Sequence, residues 1–132
     1  INHGYVSRAE ALRLQQISDI FLVLSWNRHD SKGVLPGKFY EGIRARRTVL
    51  SLVSGDAAGS ELNLLNEKFH YGFCYEEACA DVLLPGLCAF LEKAYRKKME
   101  SGAVHYTANP ELEATFQYDN LAKKLEEFML EI

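Results

Sequence analysis

The sequence predicts an α/β domain: a parallel sheet of about four strands with helices on both faces. Three observations carry this. Apolar runs at residues 20–24, 48–53 and 71–75 have strand length, and the first two lack the alternation of a half-exposed strand. Helical apolar spacing fills the gaps between them, the order expected of parallel strands joined by helices. Between the first two runs lies the turn Pro36-Gly37, which cannot sit in a helix interior and marks where a joining helix begins.

Residues 1–6 read as the end of a further strand, with Gly4 where the backbone passes close to a neighbour. Ser7-Arg8-Ala9-Glu10 fits the capping box, in which hydroxyl and carboxylate each satisfy a backbone N–H. The helix it opens reaches about Ser18, with Ala9, Ala11, Leu12, Leu14 and Ile17 on its buried side. A strand at 20–24, covered on both faces, leads into a polar loop at 25–33, where Trp26 is assigned to packing. His29 and Asp30 are adjacent and form no catalytic dyad by spacing. A helix at 37–46 turns Phe39 and Ile43 inward, and Arg44, Arg46 and Arg47 gather at its C-terminal end, where cations suit the helix dipole.

The strand at 48–53 ends in a small-residue loop, and Ser60 caps a helix to about residue 68 with Leu62 and Leu65 inward. A short strand at 71–75 closes the sheet. Two helical turns follow from 76 to 84, Pro85 breaks or kinks them, and a second helix runs to about 100, stopped by Ser101-Gly102. Residues 103–117 are irregular apart from a helical turn at 111–114. The last helix carries Leu121, Leu125, Phe128 and Ile132 on one stripe.

At 132 residues the chain is a single domain, and 48% hydrophobic with 25% charged residues is ordinary for a globular one. A net charge of −3 gives no electrostatic support to nucleic-acid binding. Cys74, Cys79 and Cys88 lack metal-ligand spacing and read as buried thiols of a reducing compartment. The longest apolar run, 82–91, is broken by Pro85-Gly86 and is too short to cross a bilayer. No phosphate-binding Lys-Ser/Thr pair follows the glycines of the loop at 54–60.

Ligands of open parallel sheets bind at the carboxyl ends of the strands, and the helix at 37–46 starts there. Its first turn offers free backbone N–H groups, a positive dipole end and the ammonium of Lys38, which together suit a phosphate. Lys38 and Glu41, three apart, project from the same side. Two readings stay open: an ordinary surface ion pair, or an anion ligand and a sugar-diol acceptor. Arg28 and Lys32 are likewise either solvated loop charges or groups that neutralise a diphosphate.

The segments Asp19-Ile-Phe-Leu-Val-Leu-Ser25, Gly33-Val-Leu-Pro-Gly-Lys-Phe-Tyr-Glu41 and Arg46-Arg-Thr-Val-Leu50 together resemble the donor-binding half of a GT-B glycosyltransferase. The likeness is to bacterial retaining enzymes that take sugars from nucleotide diphosphates, and it extends more weakly from Gly4 to the C-terminus. It implies that Lys38 meets the diphosphate, that Glu41 holds the nucleotide ribose, and that Gly37 opens the helix turn beneath the donor. Tyr5 and Val6 would border the base; a tight strand-to-helix turn is the alternative there. One departure is visible: the family's fuller motif has a second Glu eight positions before Glu41, where this chain has Gly33.

The resemblance further implies a partial Rossmann-like domain spanning 1–132, cut from a larger parent whose N-terminal strands and acceptor domain are missing, and inactive alone. The parent would transfer a hexose-like sugar to an acceptor hydroxyl with no cofactor and no metal. It would be cytoplasmic, with room for a peripheral position at the inner membrane face, and its partners would be a nucleotide sugar and its own N-terminal domain. A GT-B sugar-nucleotide epimerase would reuse the same donor site, and a non-catalytic α/β interaction module is a further alternative. A flavodoxin-like domain that binds FMN is another alternative; a receiver domain is disfavoured, because the strand at 20–24 runs into Ser25 and Trp26 and not into an acidic residue.

Overall fold

The structure, a computed structural model, describes residues 3–130. In chain order the elements are α1 (Arg8–Ile17), β1 (Ile20–Trp26), α2 (Gly37–Arg44), β2 (Thr48–Ser54), α3 (Glu61–Phe69), β3 (Gly72–Glu76), α4 (Ala80–Ser101), α5 (Pro110–Thr115) and α6 (Tyr118–Leu130). The three strands form one parallel sheet in the order β1-β2-β3, with Phe21 opposite Val49 and Val49 opposite Gly72. About four strands were expected. The difference lies at the start: residues 3–6 form no strand, and Ile1 and Asn2 lie outside the described residues.

One face of the sheet carries the core. Phe21 and Val23, Val49 and Val53, and Cys74 meet Phe39 and Ile43 of α2, Leu62 and Phe69 of α3, Leu112 of α5, and Tyr71 just before β3. Gly42 lets α2 approach closely, since a Cβ there would sit 2.9 Å from the Phe21 ring. Phe39 is fully buried and takes edge-on contacts from Tyr71 and Phe116. The Tyr71 hydroxyl donates to the Leu62 carbonyl at 2.8 Å, which leaves Ser51 as its donor at 2.9 Å. Burial holds the Tyr71 phenol well above its ordinary range, so it stays protonated and both bonds persist.

The other face is covered in part. Helix α4 lies over β3, where Phe90 stacks on Phe73 at 5.6 Å, and its end reaches the start of β1 through Lys98 and Asp19. Leu22 and Leu24 of β1, on that same face, remain 51% and 65% exposed. The expectation that both faces of this strand are covered therefore fails. Trp26, assigned to packing, is also exposed.

Several local expectations are corrected as well. Ser7 caps α1 by accepting the Glu10 N–H at 3.2 Å, but the Glu10 carboxylate pairs with Arg13, so only half of the capping box forms. No residue of α1 is buried; Leu12 and Ile17 are exposed and Ala11 and Leu14 half-buried. Gly4 has φ +61° and, among the described residues, nothing within 4 Å of a built Cβ, so the need visible there is conformational. Pro85 does not split a helix: α4 runs unbroken through it for 22 residues after a short 3-10 turn at Glu77–Cys79. Standing near the helix start, it removes the one N–H that would have met Asp81. Of the three cysteines Cys74 is buried, Cys79 half-buried and Cys88 exposed. The α6 stripe of Leu121, Leu125 and Phe128 faces outward, and Ile132 lies outside the described residues.

Candidate functional site

Helix α2 begins at the carboxyl edge of the sheet, because the parallel crossover from β1 to β2 must return along the sheet's face. It starts after Pro36, which has no side-chain acceptor, and among the described residues no side chain caps its first amides. Phe39 N–H turns back onto the Pro36 carbonyl at 2.9 Å. Gly37 has open space where a Cβ would be. At the neighbouring helix the corresponding place is filled: Ser60 accepts the Asn63 N–H, and the Glu76 carboxylate takes the Gly59 and Ser60 N–H groups at 3.0 and 2.7 Å. Thus α3 already holds an internal carboxylate before its first turn, and α2 does not.

Lys38 and Glu41 meet as their spacing predicts. The Lys38 ammonium donates to Glu41 Oε2 at 2.6 Å, with the two side chains 61% and 42% exposed. A second donor arrives from far away in sequence: Gln15 Nε2 of α1 donates to the same oxygen at 2.6 Å. The Glu41 carboxyl is held below its ordinary range, mainly by the Lys38 hydrogen bond; partial burial opposes this, and Gln15 and the charges of Lys38 and Arg8 add to it. An open groove of about 890 Å³ borders the same turn, walled by Tyr40, Ile43, Arg44, Phe116 and Tyr118 and reaching Gly37 and Glu41.

The remaining site candidates are dispersed. Tyr5 and Val6 are exposed ahead of α1, and among the described residues no side-chain hydrogen bond joins them to Lys38 or Glu41. Arg28 and Lys32 are exposed on the loop between β1 and α2 and enter no ion pair among the described residues. That loop is nevertheless fixed. Buried Asn27 donates its side-chain amide to the Ala57 and Ala58 carbonyls at 3.0 and 3.3 Å, and His29 N–H donates to Asp56 at 3.1 Å.

Sequence reasoning missed Gln15, Asn27 and Glu76. Each acts across 16 or more positions on a backbone or side-chain group, which no local motif encodes. Among the described residues no group of three His, Cys, Asp or Glu side chains could hold a metal, and no helix is long and apolar enough to cross a membrane. Burial, reinforced by the charge of Glu76, pushes the Cys74 thiol up to about 12, which makes it a core residue and not a nucleophile. No protein-family model, curated protein or solved structure matches the chain.

Proposed function

We propose that this chain is the donor-binding part of a glycosyltransferase that moves a sugar from a nucleotide diphosphate to an acceptor hydroxyl. The observation that carries the reading is the first turn of α2: uncapped, at the carboxyl edge of a parallel sheet, with the Lys38 ammonium and the Glu41 carboxylate side by side. In this reading the helix amides and Lys38 bind the diphosphate, and Glu41 accepts hydrogen bonds from the ribose diol. Negative charge grows on the departing diphosphate as the sugar bond breaks, and the fixed amides and ammonium stabilise it. Glu41 orients the donor without touching that bond. The groove beside α2 leaves room for the body of the donor. Acceptor-side groups come from a second domain of the intact protein, so the 132 residues alone transfer nothing.

The test is calorimetric titration and initial rates on the intact protein. Lys38→Ala is expected to weaken binding of nucleoside diphosphates and to lower the rate further, since the ammonium is needed most in the transition state. Glu41→Ala is expected to act on donor affinity by roughly 10- to 150-fold, the worth of hydrogen bonds to a charged group. A plain surface ion pair predicts the reverse pattern: both variants shift stability by under about 1 kcal/mol and leave donor constants unchanged. That outcome would favour a non-catalytic α/β module.

A further inference from the structure

We infer that Gln15 is a positioning residue for Glu41, and that the Lys38–Glu41 pair is the resting half of an exchange operated by the donor diphosphate. The inference rests on the donor-site reading above. Both donors sit on Oε2, each at 2.6 Å, and Oε1 accepts nothing among the described residues. The two donors differ in how firmly they are held. Gln15 is half-buried and comes from α1, 26 positions earlier, whereas Lys38 is 61% exposed on a flexible stem within the same helical turn.

A carboxylate has about four lone-pair sites, and these two donors fill a pair of them on one oxygen. A diphosphate carries more charge than Glu41 and lies in front of the same turn, so it draws the ammonium away. Gln15 stays, because it reaches Glu41 from a different helix and carries no charge for the phosphate to draw. After the exchange Oε2 keeps one donor and regains one free lone pair, while Oε1 keeps both of its own. Two adjacent oxygens then face the vicinal ribose hydroxyls with the carboxylate still oriented. Without Gln15, departure of Lys38 leaves the carboxylate free to rotate. The amide suits the task better than a cation would, since it orients Glu41 without neutralising it.

The inference explains an otherwise idle feature. Helix α1 buries none of its residues, yet Gln15 reaches α2. Its use is to bring one amide to Glu41.

The experiment is a calorimetric cycle on the intact protein with UDP, GDP and ADP, their dideoxyribose counterparts, and inorganic pyrophosphate. Gln15→Met keeps length and removes the donor; Gln15→Leu is the second variant should the first fail to fold, and thermal melts monitor both. Gln15→Met is expected to weaken the preferred nucleoside diphosphate roughly fivefold to tenfold. Its dideoxyribose counterpart and pyrophosphate should stay within about twofold, so preference for the intact ribose collapses. Lys38→Ala should weaken all three ligands and preserve that preference. Retention of full ribose preference in a folded Gln15 variant overturns the inference while the donor site stands, and so does equal weakening of every ligand. Failure of all the diphosphates to bind the unmodified protein overturns the donor-site reading, and this inference with it.

Discussion

Gly33 shows how a single position decides what this site can contain. A Cβ at residue 33 would lie 2.1 Å from the Trp26 carbonyl oxygen and 3.0 Å from Ser25 Oγ. The backbone of the loop between β1 and α2 therefore excludes any side chain there. Gly33→Ala is expected to lose on the order of 1–3 kcal/mol in urea denaturation, because backbone must shift to admit one methyl group. Gly37, at the open start of α2, is the control: Gly37→Ala should change stability by under about 0.5 kcal/mol. The sequence shows both residues as glycine and cannot tell them apart. Lys38 and Glu41 were legible for the opposite reason, since three positions in a helix place two side chains together whatever the tertiary structure does.

At the scale of elements, α2 ends in a way its sequence disguises. Its C-terminus closes with the Arg47 N–H on the Gly42 carbonyl at 3.3 Å and the Arg46 N–H on that of Ile43 at 3.0 Å. This double closure requires a left-handed residue, and Arg46 supplies it with φ +53° where glycine is usual. The helix thus stops at Arg44, two residues before the expected end, and the arginines divide: Arg46 pairs with Glu113 of α5 at 2.8 Å. Arg46→Ala keeps the strained backbone and loses the pair, whereas Arg46→Gly loses the pair and relieves the strain. The glycine variant should be the more stable of the two by about 1 kcal/mol in chemical denaturation. Strands were easier to read because an apolar run of five or six residues has few other uses, and 20–24, 48–53 and 71–75 all fall on strands with boundaries moved by a residue or two. The same reasoning misjudged β1. An all-apolar run implies cover on both faces only when something is present to cover it, and here Leu22 and Leu24 remain in contact with water.

At the scale of the whole molecule, one carboxylate joins parts of the chain that the sequence leaves far apart. Asp19, between α1 and β1, takes Lys98 of α4 at 2.9 Å and the Val104 N–H at 3.1 Å, across 79 and 85 positions. It secures the end of α4, the helix over the less covered face, to the start of the edge strand. The Lys98 hydrogen bond is the main reason that the Asp19 carboxyl is held below its ordinary value of 3.8; partial burial opposes it, and the Val104 N–H and the charges of Lys98 and Arg47 assist. A carboxyl with a depressed folded-state pKa stabilises the fold above its unfolded pKa, and that contribution disappears as the pH falls through the folded one. Asp19→Asn keeps an acceptor for Val104 and removes the charge. It should therefore lower stability by on the order of 1 kcal/mol at pH 6, a modest figure because the pair is partly solvated. The deficit should persist down to about pH 4, then shrink, and disappear as the pH falls through the depressed folded-state value, where the unmodified protein also loses the charge. Glu10 and Glu41, whose carboxyls are likewise held low, are present in both proteins and cancel from the difference. Urea midpoints for the two proteins between pH 2 and pH 7 measure it; a gap that stays constant across that range would show that Asp19 acts through packing and not through its charge.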